Sequence, residues 1–150
     1  MNDAAMIVAG AIACLGLSGA GSALGTGMAA SAAVGAWKKC YAAGKPAPFL
    51  LLSFVGAPIT QTLYGMILMF TMFRKLGVAG AGIPCLVLGI FSGFAIGASA
   101  FFQGRAAAAA CDAQAETGQG LTNYFGALGI VETVAIFTMV FTIIALGAIK

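Results

Sequence analysis

The sequence predicts an all-α membrane protein: four transmembrane helices, arranged as two duplicated helical hairpins. Three observations lead there. Of 150 residues, 61% are hydrophobic and only 7% charged, against about a quarter charged in an ordinary soluble domain. The few charges leave four long apolar stretches, and the second pair of stretches repeats the first pair. This composition excludes a water-soluble enzyme and a disordered tail, because disorder requires low hydrophobicity. The net charge of +3 is not gathered into a basic stripe, so nucleic acid has no footprint.

The stretches follow in order. Residues 4–37 hold 34 residues without a charge, 46–73 hold 28, 76–104 hold 29, and 117–149 hold 33 with Glu132 alone. Each exceeds the roughly 20 residues that carry an α-helix across a bilayer. Strands of a membrane barrel would be about 10 residues long and alternating, and no such pattern occurs. The opening MNDAAM carries an acid and no Lys or Arg, unlike a secretory signal peptide, whose apolar core is also shorter. Three connections are expected at Lys38 to Pro48, Arg74 to Pro84 and Asp112 to Gly120. None is a domain linker, so the chain reads as one membrane domain with hairpins 1–75 and 76–150. Cys14, Cys40, Cys85 and Cys111 form no CxxC pair and have no His beside them. Two are expected inside helices, as small polarizable packing groups, and neither a disulfide framework nor a metal site is expected.

The third span repeats the first: GTGMAASAA at 25–33 lies over FQGRAAAAA at 102–110, with five identities in nine at an offset of 77. The second and fourth spans align at an offset of 71, which places Gln61 over Glu132. Gln103 and Glu132 are equidistant from the ETGQG turn, as Thr26 and Gln61 are from the AAGKP turn. At 1.5 Å per residue, Gln103 and Glu132 each lie roughly 22 Å from their turn and share a depth near mid-membrane.

Gly21 and Gly25 in the first span, and Gly89, Gly93 and Gly97 in the third, recur every four residues. Such stripes let helix backbones approach closely. The second and fourth spans are bulkier (FLLLSFV, LYGMILMFTMF, TVAIFTMVFTIIAL) and suit lipid. A ring with the slim helices inside and an ordinary four-helix bundle both satisfy this pattern. Lys38, Lys39, Lys45 and Arg105 stand against Arg74, Lys75 and Lys150, a slight bias placing the first and third connections in the cytoplasm.

Glu132 is the most informative residue, because a carboxylate in the bilayer centre is costly and marks function by default. On the second span, Ala57, Thr60, Gln61 and Tyr64 lie at i,i+3 and i,i+4 spacings on one side of a helix. Pro58 lacks an N–H, which is expected to free the carbonyl of Phe54 and loosen the turn. Thr60, Gln61, Gln103 and Glu132 then supply side-chain oxygens with a single negative charge. A hard monovalent cation such as Na⁺ is neutralised by that set, and oxygen is the ligand hard cations prefer. A proton needs only the carboxyl and one partner, leaving the amides as helix glue, so Na⁺ and H⁺ both remain open. Tyr64 is placed to orient the Glu132 carboxylate. Thr133 is a weaker candidate, since a membrane Thr usually bonds its own helix. Gln61 cannot titrate, which leaves one ionisable site per four helices.

At these residues the chain resembles the rotor-ring proteolipid (the K or c type) of bacterial and archaeal V-type ATPases over essentially its full length. The resemblance is carried by the duplicated hairpin, FSG and FQGRAAA in the third span, PITQTLYG in the second and VET in the fourth. It is closest to the sodium-translocating members. It implies Na⁺ ligands at Thr60, Gln61, Gln103, Glu132 and the Ala57 carbonyl, with Tyr64 bonded to the carboxylate. Ile59 departs from the pattern, which has Gly before the Thr, and its bulk is expected to tighten the turn. The resemblance further implies a multi-pass protein of the cell membrane in a ring of identical subunits. The ring would turn past a stator subunit bearing a basic residue, with the central stalk at cytoplasmic loops 38–48 and 112–120. ATP would be hydrolysed elsewhere, and the chain has no GxxxxGK[ST] phosphate loop. Two other readings compete. Small four-helix exporters usually place their membrane glutamate in the first helix and lack the duplication. A purely structural channel-forming or junctional proteolipid would need no polar cluster around Glu132.

Overall fold

Inside a hydrocarbon layer every backbone polar group must be satisfied by its own or a neighbouring segment, so an apolar chain crosses it as helix. The computed structural model describes residues 2–150, with no strand among the described residues. Its elements are α1 (Asp3–Ala42), α2 (Leu51–Gly56), a 3₁₀ turn (Ala57–Ile59), α3 (Thr60–Phe73), α4 (Gly82–Thr117) and α5 (Leu121–Ala148). The second span is thus α2, the 3₁₀ turn and α3 together. Four helices are long and apolar enough to cross a membrane.

The helices run further than the charges suggested. Lys38 and Lys39 lie inside α1, and Arg105, Asp112 and Glu116 lie inside α4. The expected turns at 38–48 and 112–120 contract to residues 43–50 and 118–120. A charge marks where lipid ends, and a helix needs no such ending. Lys39 Nζ reaches Asp112 Oδ1 at 2.8 Å across the two helix extensions. The Trp37 indole donates to the Pro48 carbonyl at 2.8 Å and ties down the first connection. The three-residue turn after α4 requires left-handed backbone at Gly118 (φ 66) and Gly120 (φ 86), which glycine adopts without penalty. Pro84 also falls inside a helix, in the first turn of α4, where its missing N–H has no intrahelical partner to lose.

α1 and α4 run parallel and meet backbone to backbone. Gly10 packs on Cys85 and Leu86, Gly89 on Gly10, Gly93 on Cys14, Gly97 on Leu17 and Gly21, and Gly104 on Gly25. The two glycine stripes therefore close on each other within one chain. The side of α4 turned away from this seam is bulky, with Phe91, Phe94 and Phe102 at 70%, 67% and 54% exposure. The third span is therefore slim on one face only. All four cysteines, rather than two, sit inside helices; all are buried and free.

Buried apolar side chains form two clusters. One gathers Ile7, Cys14, Leu68, Met72, Cys85 and Ile96, and the other Ala33, Leu51, Phe54, Ala107, Cys111 and Leu128. Phe54 also meets the rings of Tyr124 and Phe125, at centroid distances of 6.1 and 5.0 Å. The buried amides Gln61 and Gln103 occupy the helix levels between the two clusters.

Candidate functional site

The site is built where the second span changes its winding. Pro58 cannot donate to the carbonyl four residues earlier, and the chain responds by tightening to 3₁₀ over Ala57–Ile59. The Phe54 carbonyl is not freed, as the sequence led us to expect: it accepts the Ala57 N–H. The missing α-bond is replaced by a shorter-range one. The oxygen brought into the site is instead that of Ala57, which accepts the Thr60 N–H and, at 3.0 Å, the Thr60 hydroxyl. Ile59 is 51% exposed on the outer side of this turn, so its bulk does not enter the site.

A continuous network follows. Thr60 Oγ1 lies 3.1 Å from Gln61 Oε1, and Gln61 Nε2 donates to Gln103 Oε1 at 2.8 Å. Gln103 Nε2 donates to the Leu128 carbonyl at 3.0 Å and to Glu132 Oε2 at 3.2 Å. The Tyr64 hydroxyl donates to Glu132 Oε1 at 2.6 Å. All six positions singled out in the sequence (Ala57, Thr60, Gln61, Tyr64, Gln103 and Glu132) join one cluster drawn from α3, α4, α5 and the 3₁₀ turn. Gln61 and Gln103 are fully buried, whereas Thr60, Tyr64 and Glu132 are half-buried. Thr133 stands outside: it is exposed and bonds the Ile130 carbonyl of its own helix at 2.6 Å.

Two participants were not read from the sequence. The Leu128 carbonyl anchors Gln103, and Ser99 Oγ donates to the Val131 carbonyl at 2.9 Å, clamping α4 to α5 one turn from the carboxylate. Ser99 is four residues before Gln103, a spacing that signals a shared face. The carbonyls carry no signal, because any residue type supplies one.

Chemically, the cluster is a carboxyl group held by neutral donors. Both Glu132 oxygens accept a hydrogen bond, and the amides are locked by their second contacts. No group of three or more His, Cys, Asp or Glu side chains converges among the described residues. The oxygens are those of amides, a hydroxyl, carbonyls and one carboxylate, a hard set suited to a hard cation or a proton rather than a soft metal.

Fold and site define a multi-pass membrane protein with an intramembrane carboxylate gripped between helices. Residues 86–145 match the family model for the C subunit of ATP synthase. That segment holds most of α4 and α5, including Gln103 and Glu132. The matched segment, 60 of the 150 residues, is similar to that subunit. No curated protein gives a significant match.

Proposed function

We propose that the chain is the rotor-ring proteolipid of a V-type ATPase of the cell membrane and carries one Na⁺ per protomer at Glu132. ATP hydrolysis elsewhere in the complex drives the rotation. The observation that carries the Na⁺ reading is the pair of fully buried amides, Gln103 bonded to the carboxylate and Gln61 bonded to Gln103. A proton site would need one partner for the carboxyl, which Tyr64 already supplies, and would leave the two amides only as helix glue. The Thr60 hydroxyl oxygen already lies 3.0 Å from the Ala57 carbonyl oxygen and 3.1 Å from Gln61 Oε1. Na⁺ is close to Ca²⁺ in size, and a cation with metal–oxygen distances of about 2.3–2.6 Å spaces neighbouring ligand oxygens roughly 3–3.5 Å apart. Thr60, Gln61, Gln103, Glu132 and the Ala57 carbonyl are the proposed ligands, and Tyr64 orients the carboxylate.

In this reading the hairpins 1–75 and 76–150 are duplicates, and Gln61 is the position where the first lost its carboxylate. One charge then crosses per four helices. Each is worth about 2.3 kcal/mol per 100 mV, so fewer ions per ATP favour pumping against a steep gradient. Glu132 is half-buried in one chain, which leaves it a side for exchange with a stator subunit bearing a basic residue. The polar end formed by the first and third connections faces the cytoplasm and seats the central stalk.

The test is the rate at which a hydrophobic carbodiimide labels Glu132 in detergent-solubilised ring. NaCl is titrated against KCl at fixed pH, with Glu132→Gln as the unlabelled control. Slowing by millimolar Na⁺ but not by K⁺ is expected. Fast labelling indifferent to Na⁺ would assign the site to H⁺, and no labelling in any salt would remove Glu132 from the role.

A further inference from the structure

Two buried hydroxyls in the first hairpin have no partner among the described residues: Ser22 Oγ and Thr26 Oγ1. Their isolation is unusual in this molecule. Ser18, Ser31, Thr71, Thr138 and Thr142 all donate to the carbonyl four residues earlier in their own helix, at 2.7 to 2.9 Å. Ser22 and Thr26 do not take that local solution. Ser22 is only 5% exposed, and the Thr26 oxygen is likewise enclosed. Both atoms are shut in by this one chain, so a neighbouring protomer cannot supply the missing acceptor.

The packing of α1 shows what they face. Ser18 lies against Gly65 of α3, and Gly25 against Pro58 of the 3₁₀ turn. Ser22 and Thr26 share that side of α1 by their i,i+4 spacing. Continuing the antiparallel register of those two contacts sets Ser22 level with Gln61 and Thr26 level with Ala57.

The second hairpin shows what belongs there. With the hairpins aligned as proposed above, Ser22 lies over Ser99, Thr26 over Gln103, Ala57 over Leu128 and Thr60 over Val131. In the second hairpin, Ser99 donates to the Val131 carbonyl and Gln103 to the Leu128 carbonyl. Neither counterpart bond forms in the first. Thr26 is shorter than a Gln by a reach close to one water molecule, and the Ala57 carbonyl it would address is a proposed ion ligand.

We infer that a buried water bridges the Thr26 hydroxyl, with Ser22 beside it, to the Ala57 carbonyl, doing for the first hairpin what the Gln103 amide does for the second. A water in a polar, enclosed site with two to four partners is a normal structural component. Ser22 and Thr26 are thereby positioning residues. They act on the ion through the water and the carbonyl, and fix the direction in which that carbonyl points. The consequence for ion affinity rests on the proposed Na⁺ reading; the water itself does not.

The direct test is a reconstruction of the assembled wild-type ring and of Thr26→Val at a resolution where buried waters are visible. Density for one water within hydrogen-bond distance of both Thr26 Oγ1 and the Ala57 oxygen is expected in the wild type, and its loss in Thr26→Val. A wild-type map without it, or with the Thr26 hydroxyl turned to the carbonyl of its own helix, overturns the inference whatever ion the ring carries. The second arm is the Na⁺ concentration that half-protects Glu132 from carbodiimide. Thr26→Val should raise it about five- to tenfold, the effect of one lost neutral hydrogen bond, and Thr26→Ser should stay within about twofold. Protection unchanged in Thr26→Val would overturn the positioning role. Wild-type labelling indifferent to Na⁺ would sink the ion reading, leaving the map to decide on the water.

Discussion

Tyr64→Phe removes one oxygen and nothing else. That oxygen donates to Glu132 Oε1 at 2.6 Å and is the contact α3 makes with the carboxylate. A hydrogen bond to a charged group contributes about 1.5–3 kcal/mol. Both residues are half-buried, so solvent takes over part of the lost interaction, and the lower end, about 1.5 kcal/mol, is the appropriate figure. The bond persists when a cation sits on the carboxylate, because Oε1 keeps a lone pair for it. It weakens when the carboxyl carries a proton, because the oxygen is then neutral. Under the proposed Na⁺ reading, deleting the hydroxyl therefore favours the proton over the ion, and about 1.5 kcal/mol is roughly a tenfold change. The assay is carbodiimide labelling across a Na⁺ titration at constant pH. The half-protecting concentration should rise about tenfold, with the ring still intact on a native gel. An unchanged midpoint in an intact ring would refute the assignment of Tyr64 as the group that orients the carboxylate.

Three further outcomes are expected. A Cβ at Gly97 would run into the Leu17 carbonyl of α1, so Gly97→Leu should cost several kcal/mol, as overpacking against backbone does; it should abolish recovery of folded chain, read as loss of the thermal transition in detergent. Ile59→Gly should leave Na⁺ protection within about twofold, because the side chain is 51% exposed and outside the site, while lowering stability by about 1 kcal/mol through the backbone entropy of glycine. Lys39→Ala and Asp112→Ala should each leave thermal unfolding essentially unchanged, since their side chains are 63% and 54% exposed and such pairs are weak; a clear loss of stability in either variant would refute that reading.

The legible part of this molecule is the part written in side chains. Four apolar stretches became four membrane-length helices, and the glycine spacing on the first and third spans became the α1–α4 seam. The polar residues around Glu132 were found because each is anomalous in such surroundings. The depth match of Gln103 and Glu132, read only from distances along the chain to one turn, appears as a 3.2 Å contact. What stayed silent is written in the backbone. The acceptors at Leu128 and Val131 have no residue signature, and Ser99 was passed over because its partner was one of them. The Phe54 carbonyl was misjudged because a missing α-helical donor does not leave an acceptor empty when the next N–H can tighten into its place. The helix ends were misplaced because charge reports the edge of the lipid and not the end of the hydrogen-bond ladder.

The overrun of α1 and α4 has a mechanical consequence. α4 continues to Thr117, twelve residues past Arg105, and at 1.5 Å per residue this is roughly 18 Å of helix beyond that guanidinium. α1 runs beside it to Ala42, and Lys39 and Asp112 link the two near their tips. Two parallel rods fused along a glycine seam behave as a beam, with the exposed Lys39–Asp112 pair adding little at the tip. A sideways load on that end is carried into the bilayer by bending stiffness, with little slack taken up in a loop. The seam passes Gly97 and Gly104, which flank the Ser99 and Gln103 clamps on α5. The α4 side chains that hold α5 and Glu132 therefore project from the stiff part of the chain.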